Sequence, residues 1–182
     1  MQEGISYLTP QQVNKLIDAC RTPDNALLVR LLFQTGARIG ELLALRPCDI
    51  DYQHQRLELP ALKRKDISTK LVVLDAATLQ MLRGFCHGKA SARRLFNISR
   101  QRAYYTVMMA AKKAGLGGIH PHTLRDSFAV NWALNGGSLN LLQRQLGHRS
   151  FSTTVDRYLT FSSEDVRKEY NRILVERNEI KP

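Results

Sequence analysis

The second half of the sequence carries a set of side chains suited to holding a phosphate group and attacking it. His122 and Arg125 lie three residues apart in a segment with helical apolar spacing, so both side chains are expected on one helix face, where they can hold an anion. His148 follows a helix stop signal, at a position from which its ring can point into a cleft. Tyr158 comes ten residues after His148 and supplies a hydroxyl nucleophile. The order of these residues predicts phosphate ligands followed by a nucleophile.

Short helices must position these side chains. His122 and Arg125 belong to the first of them, and a second helix follows with Ser138 as a candidate N-cap and Gly147 as its stop. One more short helix is expected to carry Tyr158. The apolar positions that are interpreted as the buried side of the first helix are Leu124, Phe128 and Trp132.

Three features of this stretch resemble the second conserved box of the tyrosine recombinases, the lambda-integrase-like enzymes that break and rejoin DNA. They are the His122-x-x-Arg125 pair, the Leu-Gly-His sequence that ends at His148, and a tyrosine, Tyr158, shortly after Ser-Thr-Thr. The family pattern also requires a first box upstream, centred on an arginine in a Thr-Gly-x-Arg-x-x-Glu context. Residues 35–42 contain it, and the two boxes together are far more specific than either one alone.

In this first box Arg38 and Glu41 are three residues apart and share a helix face. Arg38 and Arg125 are the expected clamp on the two non-bridging phosphate oxygens, because a guanidinium group stays charged and meets phosphate in a bidentate fork. His122 and His148 can donate further hydrogen bonds to the same oxygens or move a proton.

The resemblance implies the remaining roles. Tyr158 would attack the phosphorus and hold a covalent 3′-phosphotyrosine, a lysine from a β-hairpin would protonate the leaving 5′ oxygen, and Glu41 would orient a basic residue. The lysine has two candidates, since counting from the preceding strand favours Lys63 and counting back from the following strand favours Lys65. We take Lys63 as the first choice.

One departure from the family pattern lies beside the nucleophile. Tyr158 follows His148 by one residue more than is usual, and one residue turns a helical side chain by about 100°. Either the intervening loop absorbs this residue, or Tyr158 is delivered differently, for example into a neighbouring protomer's site.

The composition favours a polyanion as partner. The chain has 182 residues and a formal net charge of +11, from 27 Lys and Arg against 16 Asp and Glu. Double-stranded DNA is therefore the leading expectation, ahead of an anionic membrane surface. The sequence has no apolar run long enough to span a membrane and no signal-like N-terminus, so a cytoplasmic, nucleoid-associated protein is expected. Three widely separated cysteines indicate reduced thiols.

The remaining segments predict a mainly helical α+β fold with a small antiparallel sheet. Helix start signals occur at Thr9, Thr22, Asp75 and Ser99. Two extended segments around residues 56–59 and 70–74 predict a β-hairpin with a basic tip. The basic helix after Ser99 offers Tyr104, Tyr105, Val107, Met108 and Ala111 for packing.

Residues 1–182 are expected to form one tyrosine recombinase catalytic domain, without the DNA-clamping core-binding domain that usually precedes it in the family. The resemblance implies DNA integration, excision, inversion or dimer resolution, and a homo-tetramer assembled on DNA. No metal or cofactor is expected, because the arginines supply the positive charge. A metal site formed by His120, His122 and His148 is the weaker interpretation.

Two rival functions remain open from the sequence alone. A type IB topoisomerase would use the same residues to relax supercoils without exchanging strands, although the Leu-Gly-His sequence favours a recombinase. The second rival function is that of a DNA-binding module that is inactive in isolation, and the unusual spacing between His148 and Tyr158 supports it.

Overall fold

The computed structural model describes residues 7–60 and 69–147. Within these ranges the chain forms seven α-helices and a three-stranded antiparallel sheet, which is the mainly helical α+β fold that the sequence predicts. The helices are α1 (Pro10–Asp18), α2 (Pro23–Thr35), α3 (Ile39–Leu43), α4 (Ala76–Cys86), α5 (Arg100–Lys113), α6 (Pro121–Leu134) and α7 (Leu139–Leu146). The strands are β1 (Ile50–Asp51), β2 (Arg56–Pro60) and β3 (Thr69–Val73).

Side-chain caps fix the helix starts where the sequence predicts them. Thr9 Oγ1 accepts a hydrogen bond from the backbone N–H of Gln12, and the Thr9 backbone N–H donates to Gln12 Oε1, which completes a capping box. The side chains of Thr22, Asp75 and Ser99 cap α2, α4 and α5, each by accepting a hydrogen bond from the backbone N–H three residues further on. Ser138 occupies the N-cap position of α7 but makes no capping hydrogen bond with its side chain.

The sheet has the order β1-β2-β3, and the predicted hairpin is formed by β2 and β3. Leu57 pairs with Val72, and Leu59 pairs with Lys70. Since side chains alternate between the two faces of a strand, Val72 and Lys70 both point to the buried face, whereas Leu71 and Val73 are exposed. The register therefore places a lysine on the inner side of the hairpin.

Most of the apolar core surrounds α2, whose Leu28, Leu31 and Leu32 have no exposed surface. A smaller cluster joins α6 and α7 through Phe128, Leu142 and Leu146. Trp132 packs against Phe128 with ring centroids 5.8 Å apart, as its helical periodicity predicts. These two clusters place α6 against the C-terminal end of α2.

The chain entering α1 is fastened to α6. The backbone N–H of Leu8 donates to Ser127 Oγ at 2.8 Å, and Asn131 Nδ2 donates to the Leu8 carbonyl at 2.9 Å. Ser127 in turn donates to the carbonyl of Thr123 on its own helix. Leu8 is thus held through both of its backbone polar groups by residues of α6.

The packing predicted for α5 is partly wrong. Val107 and Ala111 are buried, as predicted, together with Ala103 and Ala110. Tyr104, Tyr105 and Met108, however, are between 43% and 52% exposed. Helix α5 packs through its small residues, which turns the aromatic side chains outward.

Candidate functional site

The first box begins at a tight turn after α2. Gly36 ends the helix in the left-handed conformation, with φ of 59°. A Cβ atom at this position would lie 2.4 Å from Cδ1 of Phe128, so any other residue would both strain the backbone and collide with α6. The glycine thereby allows the end of α2 to lie directly against α6.

Arg38 is the N-cap residue of α3, and Glu41 is in the first turn of that helix. Glu41 Oε2 accepts from the Arg38 backbone N–H at 3.0 Å, and Oε1 accepts from Arg38 Nη1, also at 3.0 Å. The Glu41 side chain is only 2% exposed, whereas that of Arg38 is 33% exposed. The carboxylate therefore holds both the backbone and the guanidinium group of Arg38, whose side chain still reaches the surface.

Lys70 is the second cation held by Glu41. Its Nζ donates to both carboxylate oxygens, at 2.9 and 3.0 Å, and lies 3.4 Å from the carbonyl oxygen of Leu146 at the end of α7. The Lys70 side chain is 8% exposed. The basic residue that Glu41 orients is thus Lys70 as well as Arg38.

Arg125 is buried between the turn after α2 and the end of α7. Its Nη1 donates to the carbonyl of Gly36 at 2.6 Å, and its Nη2 donates to the carbonyl of Leu146 at 2.7 Å. The residue is 1% exposed. The Leu146 carbonyl, which lies at the C-terminal end of a helix, is thus shared by Arg125 and Lys70, and such carbonyls carry partial negative charge.

A continuous set of contacts therefore joins the two boxes. Arg38 contacts Glu41, Glu41 contacts Lys70, and Lys70 and Arg125 meet at the Leu146 carbonyl. Arg38 and Arg125, the two arginines of the expected clamp, are brought together by a buried carboxylate and a helix-terminal carbonyl.

The ionisation of the pair follows from these contacts. Burial raises the pKa of the Glu41 carboxyl, but the hydrogen bonds and charge of Lys70 and the hydrogen bonds from Arg38 outweigh it, and the net pKa lies below the ordinary value of 4.5. Burial lowers the pKa of Lys70, and the charges of Arg125 and Arg38 lower it further. The hydrogen bond and charge of Glu41 raise this pKa, but the net value lies below the ordinary one. The carboxylate is therefore ionised at neutral pH.

We expect this carboxylate to make the fold sensitive to acid. A depressed folded pKa contributes stability that is fully present above about pH 4.5 and is lost as the pH falls through the lower folded value. The difference in unfolding free energy between the wild type and Glu41→Gln should therefore shrink as the pH is lowered from about 4.5 to about 3 in urea titrations. Glu58→Gln, on the exposed face of β2, is the control for loss of a carboxylate. A gap that stays constant over this range would contradict the expectation.

The histidines of α6 have different surroundings. His120 is the N-cap residue, its Nδ1 accepts from the Thr123 backbone N–H at 3.3 Å, and its ring stacks on Tyr104 with centroids 6.0 Å apart. His120 thus caps the start of α6 with its own side chain. His122 lies in the first turn of α6 and is exposed, unlike Arg125 one turn later.

The structure describes part of the predicted site. Arg38, Glu41, His122 and Arg125 lie within the described ranges, whereas Lys63, Lys65, His148 and Tyr158 lie outside them, so their roles stay predictions. Sequence reasoning missed Lys70. Alternation along β3 does not single it out, because Leu71 and Val73 on the opposite, exposed face are apolar as well.

Within residues 7–60 and 69–147 the structure shows neither a metal-binding cluster nor a membrane-spanning helix. No group of three or more His, Cys, Asp or Glu side chains in residues 7–60 and 69–147 could hold a metal ion. None of the helices described in those ranges is long and apolar enough to cross a membrane.

Comparison with known proteins identifies the fold. The chain is 30% identical over 169 residues to tyrosine recombinase XerA of Saccharolobus solfataricus, a match that covers 93% of this chain. A crystal structure of XerA recombinase superposes with a TM-score of 0.77 at 25% identity, over 92% of this chain and 64% of the other. The catalytic domain of bacteriophage HP1 integrase matches with a TM-score of 0.70 at 26% identity, over 92% of this chain and 95% of that domain. The fold is therefore that of a tyrosine recombinase catalytic domain.

The sequence model of the phage integrase family matches residues 6–165, which include both boxes and Tyr158. The chain belongs to the phage integrase family. It spans little more than half the length of the curated relatives that it matches, 57% of XerA and 53% of the recombinases XerC and XerD.

Proposed function

We propose that the chain is the catalytic domain of a site-specific DNA recombinase that cuts and rejoins DNA one strand at a time through a covalent bond to Tyr158. The observation that carries the proposal is the buried set of contacts that joins Arg38 to Arg125 through Glu41, Lys70 and the Leu146 carbonyl. Two guanidinium groups held by one scaffold suit a reaction in which charge develops on two non-bridging phosphate oxygens.

The arginines act mainly on the transition state. Arg38 is fixed by Glu41 yet remains one third exposed, so it can meet a phosphate with little reorganisation. Arg125 adds a permanent positive charge to the same scaffold, because a guanidinium group is not deprotonated in proteins. Exposed His122 and, beyond the described residues, His148 donate to the same phosphate or move a proton.

The covalent step balances without an external energy source. The hydroxyl group of Tyr158 gives its proton to the imidazole of His148 or His122 as its oxygen attacks the phosphorus, and the bond from phosphorus to the 5′ oxygen breaks. Lys63, or Lys65 in its place, gives the leaving 5′ oxygen a proton. The 3′-phosphotyrosine conserves the bond energy, so the attack of a 5′ hydroxyl group rejoins a strand without ATP.

Double-stranded DNA is the proposed partner, in the cytoplasm, with a homo-tetramer as the assembly that exchanges strands. The net charge of +11 supports a polyanion. An open basic cleft between the start of α2 and the connection from α4 to α5 is a candidate contact with the DNA backbone. Its basic lining residues are Arg21, Lys89, Arg93, Arg94 and Arg102.

Covalent trapping tests the proposal. The protein is incubated with nicked duplexes that carry a candidate target site, the reaction is denatured, and any adduct is mapped by mass spectrometry. An adduct at Tyr158 that is absent from Tyr158→Phe is the expected result. Salt-dependent DNA binding without an adduct would instead favour a binding module. Relaxation of supercoils without exchange between two sites would favour the topoisomerase reaction.

A further inference from the structure

Lys70 is a buried cation to which the proposed reaction assigns no role. Its side chain is 8% exposed on the inner face of β3, next to Val72, which is fully buried. Taking an ammonium group out of water costs several kcal/mol unless it is well paired, and an apolar side chain would suit this position. The burial of this lysine therefore depends on its pairing with Glu41.

The contacts of Lys70 show what this cation connects. Nζ donates to both oxygens of Glu41 and approaches the carbonyl of Leu146. A Cβ atom at Gly147 would lie 2.9 Å from Cε and 3.2 Å from Nζ of Lys70, so the lysine also lies against the turn that ends α7. Three segments that are distant in sequence thus meet at one ammonium group.

Each of these segments leads to a residue of the proposed reaction. Helix α3 follows Arg38, and the turn at Gly147 directly precedes His148. Strand β3 follows the segment that carries Lys63 and Lys65, and it begins at Thr69. A displacement of Lys70 would change the relative positions of groups that must act on one phosphate.

We propose that Lys70 is a positioning residue for DNA cleavage, which locks the β2–β3 hairpin and the end of α7 onto the Arg38–Glu41 pair. This inference rests on the proposed recombinase function. Lys70 is not the proton donor to the 5′ oxygen, because its ammonium group is enclosed by Glu41 and the Leu146 carbonyl. It acts through the geometry of its neighbours.

The first test compares single-turnover cleavage of a nicked duplex by the wild type, Lys70→Met and Lys70→Arg. Methionine keeps an unbranched stem without charge, and arginine keeps the charge. Small misplacements of catalytic groups cost on the order of 100-fold in rate, so Lys70→Met should cleave about 100-fold more slowly, with the half-saturating DNA concentration within about 2-fold of wild type. Lys70→Arg should recover most of the rate. Lys15→Met, an exposed lysine of α1, is the matched control.

Two results of this test would overturn the inference. Lys70→Met at the wild-type rate would show that the contact does not matter for cleavage. A change in the shape of the pH–rate profile, with loss of its alkaline limb, would make Lys70 the proton donor itself. A positioning role lowers the rate and leaves the apparent pKa values of the profile in place.

A double-mutant cycle with Glu41→Gln tests whether Lys70 acts through Glu41. If it does, the double variant should cleave no more slowly than the slower single variant, and additive losses would contradict the inference. The double variant also removes both buried charges at once. If Lys70→Met, which leaves Glu41 with one partner fewer, fails to fold, the double variant is compared with Glu41→Gln alone, and a further loss of rate would contradict the inference.

Hydrogen exchange separates this inference from the proposed function. In Lys70→Met, amide exchange should increase together in α3, β3 and the last turn of α7, whereas α1 should not change. If the wild type forms no adduct but this pattern appears, the recombinase proposal fails while the locking role of Lys70 stands. Unchanged exchange in all three segments would reject the locking role whatever the cleavage result.

Discussion

Arg125→Ala should reduce DNA cleavage by about 1000-fold and also destabilise the fold, by about 3 kcal/mol. The loss in rate follows from removal of a donor to the charge that develops on the phosphate in the transition state, where a single such group is worth about 100- to 1000-fold, and from disorder of the neighbouring site. The loss in stability follows from the two carbonyls, of Gly36 and Leu146, that this guanidinium group satisfies in the interior.

Two measurements on Arg125→Ala check these expectations separately. Urea unfolding gives the free energy, and cleavage is measured at a temperature where circular dichroism shows the variant to be folded. Arg125→Lys is the informative companion, because one ammonium group cannot reproduce a fork between two carbonyls. It should recover part of the stability and little of the rate. A folded Arg125→Ala protein that cleaves at the wild-type rate would remove this arginine from the clamp.

Arg38→Ala should lose about as much cleavage, on the order of 100- to 1000-fold, with little loss of stability. The Arg38 side chain is one third exposed, and its removal leaves Glu41 with Lys70 and the backbone N–H of residue 38. Such a partly exposed ion pair contributes about 1 kcal/mol or less. The two clamp arginines should therefore have similar effects on rate and different effects on unfolding free energy.

Arg38→Ala should affect the cleavage rate much more than DNA binding, which gives the experiment a second measurement. DNA affinity, measured by fluorescence anisotropy at fixed salt, should fall far less than the cleavage rate, because a catalytic clamp acts mostly on charge that develops during the reaction. Arg46→Ala, an exposed arginine shortly after α3, controls for loss of one positive charge. Equal losses of affinity and rate in Arg38→Ala would make Arg38 a binding residue only.

Local signals in the sequence predict the helices well because their causes are local. Thr9, Thr22, Asp75 and Ser99 each cap the helix that the sequence predicts there, and each bond is made within three residues. The pairing of Arg38 with Glu41 is predictable for the same reason.

Contacts between distant segments are harder to predict. The Lys70–Glu41 pair depends on the register of β2 and β3 and on how the hairpin packs against α3, and neither is a property of a single segment. The burial of Arg125 depends on the close approach of α6 to Gly36, which the family pattern alone does not describe. The prediction for α5 is wrong about which side of the helix faces the core. The helix packs through its alanines, and tertiary packing decides this and not the helix sequence alone.

The hydrogen bonds of Leu8 with α6 have a mechanical consequence. Ser127, which accepts from the Leu8 N–H, lies two residues after Arg125 on the same helix, and Asn131 holds the Leu8 carbonyl one turn further on. A force on the backbone at residue 8 is therefore transmitted to α6, the helix that carries Arg125, as well as to α1. A displacement of the backbone at residue 8 would thus be passed on to the helix that carries Arg125.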